Sequence, residues 1–149
     1  GAVKVQLDNE TVLLHASCVS VSGNGVLICG PAGSGKSSLA LNLIALGAEL
    51  VADDQTIIRR ENTDLIARCP ETISQLIEAR GLGFLTPPTR SDVALTLVVD
   101  LETAQTQRVP RPEAYELFGI TLPLFRRAPL DAFPAALYIM ARDGVRHDV

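Results

Sequence analysis

The chain has 149 residues, 13 lysines and arginines against 17 aspartates and glutamates, a formal net charge of −4 and 47% hydrophobic residues. That length and composition fit one globular domain over residues 1–149 and exclude a disordered or low-complexity chain. The acidic balance, without a basic run interleaved with aromatics, argues against a nucleic-acid surface.

In chain order, residues 3–7 and 12–15 are β-rich pieces around Asp8-Asn9-Glu10 and read as a hairpin. Residues 17–21 extend the strand pattern to the turn Gly23-Asn24-Gly25, and Val26-Leu27-Ile28-Cys29 is a short apolar run expected to be a buried strand. Residues 37–46 are rich in Leu and Ala, and Gly47 stands where a helix ends. Residues 49–52 read as the next parallel strand, ending in Asp53-Asp54. Two short strands follow at 56–59 and 64–67, then Thr86-Pro87-Pro88 as a breaker. Residues 93–101 carry the strongest strand pattern in the chain. The stretch 102–131 is rich in Pro, Arg and Glu and reads as loop with short elements, 133–142 as a C-terminal helix, and the tail after Gly144 as mobile.

Between the apolar run and the first helix stands Gly30-Pro31-Ala32-Gly33-Ser34-Gly35-Lys36-Ser37, which satisfies G-x-x-x-x-G-K-[ST]. Its glycines let successive N–H groups face one concavity that suits the oxygens of a nucleoside phosphate. Lys36 supplies a point charge for the outer phosphates and Ser37 a hydroxyl for Mg²⁺. The strand before and the helix after are the two flanks this chemistry needs, because the helix N-terminus adds its own partial positive charge.

Parallel strands present their C-terminal ends on one edge, so Asp53 and Asp54 are expected beside the phosphates. One carboxylate there suits Mg²⁺ and the other can accept the proton of an attacking hydroxyl. Adjacent carboxylates repel, and a cation relieves that repulsion. Glu78 and Arg80, in Leu76-Ile77-Glu78-Ala79-Arg80-Gly81-Leu82-Gly83, read by themselves as one solvated strand face, and His15 as a structural hydrogen-bonder. Cys18, Cys29 and Cys69 have no metal-ligand spacing and suit small buried thiols of a reduced, cytoplasmic protein. No run of 18 apolar residues and no leader is found, so no membrane partner is expected.

Four segments, Leu14-His15-Ala16-Ser17, Gly30 to Ser37, Leu50-Val51-Ala52-Asp53-Asp54 and Ile77-Glu78-Ala79-Arg80-Gly81-Leu82-Gly83, together resemble the HPr kinase/phosphorylases, bacterial enzymes that phosphorylate a seryl residue of the phosphocarrier HPr. The likeness covers the first 85 residues or so and thins afterwards. The resemblance implies an α/β fold of the P-loop-containing HPr kinase/phosphoenolpyruvate carboxykinase-like type, a mixed sheet with flanking helices. It implies ATP and Mg²⁺ as cofactors, HPr as partner and a homo-oligomer, a hexamer in the family. Carried over residue by residue, it places His15, Lys36, Asp53 and Asp54 at catalytic positions, with Arg108 as a further catalytic arginine. It places Ser37 and Glu78 at Mg²⁺-binding positions, and Gly30, Pro31, Ala32, Gly33, Ser34, Gly35, Lys36 and Ser37 around the nucleotide. Leu122 to Arg127 loosely matches the family's late basic segment, which is tied to dephosphorylation.

Two other functions share these residues. A P-loop kinase for a small metabolite uses the same cradle with a different acceptor. A nucleotide-dependent switch or binding module would change partner affinity without phosphoryl transfer.

Overall fold

The computed structural model describes residues 4–145; Val3, expected in the first strand, and the tail beyond Val145 lie outside the described residues. The described chain runs β1 (Lys4–Asp8), β2 (Thr11–Leu14), β3 (Ser17–Val21), β4 (Asn24–Cys29), α1 (Lys36–Leu46), β5 (Glu49–Ala52), β6 (Thr56–Glu61), β7 (Asp64–Arg68), β8 (Ile77–Ala79), β9 (Gly83–Leu85), β10 (Asp92–Ala104), β11 (Glu113–Leu117), β12 (Ile120–Arg127) and α2 (Phe133–Asp143). It is a mixed-sheet protein in which, among the described residues, only two helices flank the strands, fewer than an α/β fold with several flanking helices leads one to expect.

Ten strands form one sheet in the order β1-β2-β6-β7-β10-β4-β3-β5, with β12 on β10 and β11 on β12; β8 and β9 make a separate hairpin. The long strand β10 joins the parts: it starts antiparallel to β7 at Asp92–Ala94 and continues parallel to both β4 and β12. Strand β3 lies antiparallel between β4 and β5. Thus β5 does run in the direction of β4, as the sequence suggests, yet it is not its neighbour.

The central strands are buried on both faces, which is why β4 reads as an unbroken apolar run and not as an alternation. Val26 and Ile28 join Val19, Leu97 and Val99 beneath Leu39 and Leu43 of α1 and Leu137 of α2. Leu27 and Cys29 point the other way, with Cys18, Val98, Ile58 and Leu65, into a second cluster that β11 closes with Leu117. Each large side chain so removed from water contributes roughly 1.5–3 kcal/mol. Helix α1 ends as the sequence indicates: the Gly47 amide donates to Ile44 O at 3.0 Å and the Ala48 amide to Leu43 O at 3.0 Å, a Schellman pair.

Two local readings are corrected. The β3–β4 turn falls on Ser22 and Gly23, both left-handed, so Asn24 and Gly25 belong to the strand. The stretch 102–131 is not mainly loop: β11 and β12 form an antiparallel hairpin turning at Phe118-Gly119, both at positive φ. Pro123 and the Arg126-Arg127 pair mask its strand pattern, and pairing with β10 overrides that weak local preference.

Cys18 and Cys29 are buried, whereas Cys69 is half-buried. Burial, aided by the Asp100 carboxylate, pushes the Cys29 thiol from the ordinary 9.0 up to about 12, and burial beside Cys29 pushes Cys18 up as well. In the unfolded chain both thiols ionise near the ordinary value. Their contribution to stability is therefore complete below about pH 9 and is lost as pH rises above it. A native thiol titration with a disulfide reagent at about pH 8 is expected to read Cys69 alone, and all three thiols only after denaturation. The urea midpoint should fall between about pH 9 and pH 11; two fast-reacting native thiols, or a flat midpoint, would contradict this packing.

Candidate functional site

The strand directions gather one edge of the sheet into a site. Strands β4, β5, β10 and β12 all end there, and the antiparallel β3 begins there. Five segments thus converge from positions spread between His15 and Arg127.

From β4 the chain enters the loop 30–37. Gly30 has φ 147°, and a Cβ at this position would lie 2.5 Å from Ser34 Oγ, so the loop closes only around a glycine. The Ser34 amide donates to Pro31 O at 3.1 Å and tightens the turn. Gly35 caps α1 in the left-handed region and no side chain caps the helix. Its first turn therefore presents N–H groups without intrahelical partners to the loop, where the helix dipole is positive. Within the same loop Ser34 Oγ is buried and has no hydrogen-bond partner among the described residues. The buried Lys36 arches back so that Nζ donates to Gly30 O at 2.9 Å and Pro31 O at 3.1 Å. Open amides plus a lysine held, among the described residues, by two carbonyls make a concavity suited to phosphate oxygens.

The two adjacent aspartates have different surroundings. Asp53 Oδ1 accepts from Ser17 Oγ at 2.7 Å and from Ser37 Oγ at 2.8 Å, which ties the end of β5 to the start of both β3 and α1. Asp54 has φ 68°, its amide donates to Ser17 Oγ at 3.3 Å, and its Oδ1 pairs with His15 Nε2. The side chain of Asp54 is 65% exposed and that of His15 34%, so this pair faces solvent while Asp53 faces the loop. Thr56 Oγ1 donates to Ala16 O at 2.9 Å from a fully buried position and fixes the segment between His15 and Ser17.

Two residues of this site are not singled out in the sequence, Arg127 standing there only within the segment 122–127 that loosely matches the family's late basic one. Ser17 lies in a quoted motif, yet only β3 between β4 and β5 sets its hydroxyl against Asp53. Arg127, at the end of β12, donates from Nη2 to Ser34 O at 3.0 Å, 93 residues away in sequence. Its guanidinium lies 3.0 Å from where a Cβ on Gly35 would stand, a second steric reason for glycine in the loop. The neighbouring Arg126 is engaged elsewhere, with Asp100 at 3.2 Å and Glu113 at 3.0 Å. Arg108 sits in the β10–β11 connection and lines a cavity over the helix-covered face of the sheet.

Glu78 is exposed on β8, between Ile77 and Ala79, whose side chains are buried. Gln75 anchors the approach to this hairpin, donating from Nε2 to Val51 O at 3.0 Å and to Arg90 O at 2.8 Å. Among the described residues no three His, Cys, Asp or Glu side chains gather as a preformed metal cluster. What the edge does offer is the Ser37 hydroxyl and the Asp53 carboxylate 2.8 Å apart. That small, hard oxygen set fits Mg²⁺, which retains several waters and takes one or two protein ligands alongside substrate phosphates. Among the described residues no helix is long and apolar enough to cross a membrane.

Comparison with known proteins shows the family. Residues 6–120 match the family model described as the HPr Serine kinase C-terminal domain. The HPr kinase/phosphorylase of Bacillus subtilis (strain 168) is 43% identical over 100 residues, which is 62% of this chain and 32% of that protein. The HPr kinase/phosphorylase of Halalkalibacterium halodurans is 40% identical over 119 residues, 74% of this chain and 37% of the relative. The chain spans about a third of the length of the curated relatives it matches. Among solved structures, the Hpr(Ser) kinase/phosphatase from Coxiella burnetii superposes with a TM-score of 0.74 at 27% identity, covering 86% of this chain and 92% of that one. With its 30–37 loop, its paired aspartates and most of its mixed sheet inside the matched span, the chain belongs to the HPr serine kinase C-terminal domain family.

Proposed function

We propose that this protein is an ATP- and Mg²⁺-dependent protein-serine kinase acting on HPr or an HPr-like carrier. The observation that carries the reading is the division of labour between the two aspartates on the edge that holds the 30–37 loop. Asp53 shares a hydrogen bond with Ser37 and sits on the metal side, whereas Asp54 faces solvent with His15 and sits on the acceptor side.

In this scheme the seryl oxygen of the acceptor forms a bond to the γ-phosphorus of ATP as the bond to the β-phosphate oxygen breaks, giving phosphoserine and ADP. Asp54 accepts the seryl proton, and His15 holds that carboxylate in place. Lys36 exchanges the Gly30 and Pro31 carbonyls for phosphate oxygens, and the open amides of the loop and of α1 orient the donor. Arg127 braces the loop from the far side. Ser37 and Asp53, with Glu78 as a further ligand by family resemblance, would hold Mg²⁺, which when bound would supply charge neutralisation on the phosphates. Catalysis of this type rests on positioning and electrostatics, which is what a rigid sheet edge provides. In the reverse direction, inorganic phosphate would displace the seryl oxygen of phosphoserine to give pyrophosphate, with Asp54 returning the proton.

Incubation of HPr with this protein, ATP and Mg²⁺ should add one phosphoryl group to the intact mass of HPr, and none to HPr whose target serine is replaced by alanine. Absence of added mass while ATP binds would redirect the assignment to a small-molecule acceptor or a switch. Lys36→Ala is expected to abolish transfer with the fold intact. Asp54→Asn should lower the single-turnover rate by roughly 10²–10⁴-fold, the usual worth of a general base, with nucleotide affinity nearly unchanged. Arg127→Ala removes a charged hydrogen bond to the loop, so ATP affinity measured by calorimetry should fall about tenfold or more, with Arg127→Lys recovering part of it. Unchanged affinity in Arg127→Ala would remove that residue from the site.

A further inference from the structure

A cavity lies along β10 and β12, reaching Gln105 and Ala128 beside Arg127 at one end. On the helix-covered face, residues of β10, β12 and α2 and the connection containing Arg108 and Arg111 line one space. Its volume is about 820 Å³. That falls within the range of about 300–1,000 Å³ typical of small-molecule sites. Its walls are apolar, built from Leu97, Phe125, Leu137 and Met140.

Four guanidiniums stand around this cavity, and the structure separates them into two kinds. Arg126 is neutralised by Asp100 and Glu113, and Arg142 by Asp143 at 2.7 Å. Arg108 and Arg111 are exposed and have no ion pair or hydrogen bond among the described residues. The Gln105 amide donates to Arg127 O at 2.7 Å, which ties the start of their segment to the end of β12. An apolar chamber in an acidic protein, with two uncompensated cations at its mouth, is complementary to one kind of occupant. From this we infer that the chamber binds a small amphipathic monoanion, its apolar body on the Phe125–Leu137 wall and its anionic head on Arg108 and Arg111. The inference stands on the cavity and its charges and does not require the kinase reading.

Calorimetric titration of the full chain with dodecanoate, held below its micellar concentration, tests this. Saturable binding with one site per chain is expected. Arg108→Ala/Arg111→Ala should weaken dodecanoate at least tenfold while leaving the uncharged dodecanol within about twofold, because a carboxylate–guanidinium hydrogen bond is lost and the apolar wall is not. Ala136 is exposed on α2 and also lines the cavity, so Ala136→Trp should fill the chamber and abolish binding without lowering the melting temperature. If Ala136→Trp folds poorly, Ala128→Phe fills the same space from the end of β12. Non-saturable heat, or binding indifferent to both the arginine and the filling variants, overturns the proposal. So does concentration-dependent self-association abolished by Ala136→Trp without any dodecanoate binding, which would make a second copy of the chain the occupant.

Discussion

The hydrogen bond from Ser17 to Asp53 is where the architecture and the chemistry of this protein meet. It closes only because β3 runs antiparallel between β4 and β5, bringing the start of one strand to the ends of the other two. The same Asp53 oxygen accepts from Ser37, so one carboxylate atom joins β3, β5 and the first turn of α1. Two donors on one ionised oxygen in a partly buried setting are worth more than two neutral pairs, because the charge strengthens each. Ser17 itself is fully buried, and Asp53 satisfies the donor that burial would otherwise orphan.

From that junction the rest of the edge follows. Fixing Asp53 inward leaves Asp54 in the left-handed region with its side chain turned to solvent and to His15. Two carboxylates adjacent in sequence thereby acquire different neighbours, one a pair of hydroxyls and the other an imidazole. Differences of this kind let two like groups serve different roles at one centre. The loop at 30–37 depends on the same frame: Gly30, where a Cβ would meet Ser34 Oγ, and Gly35, beside the Arg127 guanidinium, both lie at positive φ, where glycine is favoured.

The helical layer is sparse for so broad a sheet. Helices α1 and α2 cover the strands that carry the 30–37 loop, and β11–β12 folds back to close the opposite cluster. On the β12 side lies an apolar cavity whose lining includes Arg108 and Arg111.

Much of the local structure was legible in the sequence, because it depends on neighbours along the chain. The 30–37 motif, the apolar run before it, the helix to Gly47 and the carboxylates closing β5 are short-range patterns fixed by backbone sterics, burial and helix-end chemistry. The β11–β12 strands were not legible, since Pro123 and Arg126-Arg127 argue locally against a strand that pairing with β10 imposes. Likewise Ser17 and Arg127 show nothing of their roles alone: each acts through a contact with a residue far away in sequence, Asp53 for one and Ser34 for the other. The sequence by itself determined that a glycine-rich loop of the G-x-x-x-x-G-K-[ST] pattern and a pair of carboxylates exist. Only the tertiary structure decided which carboxylate faces the loop and which arginine reaches it, because strand order and direction, set by long-range pairing, place those side chains on the same edge.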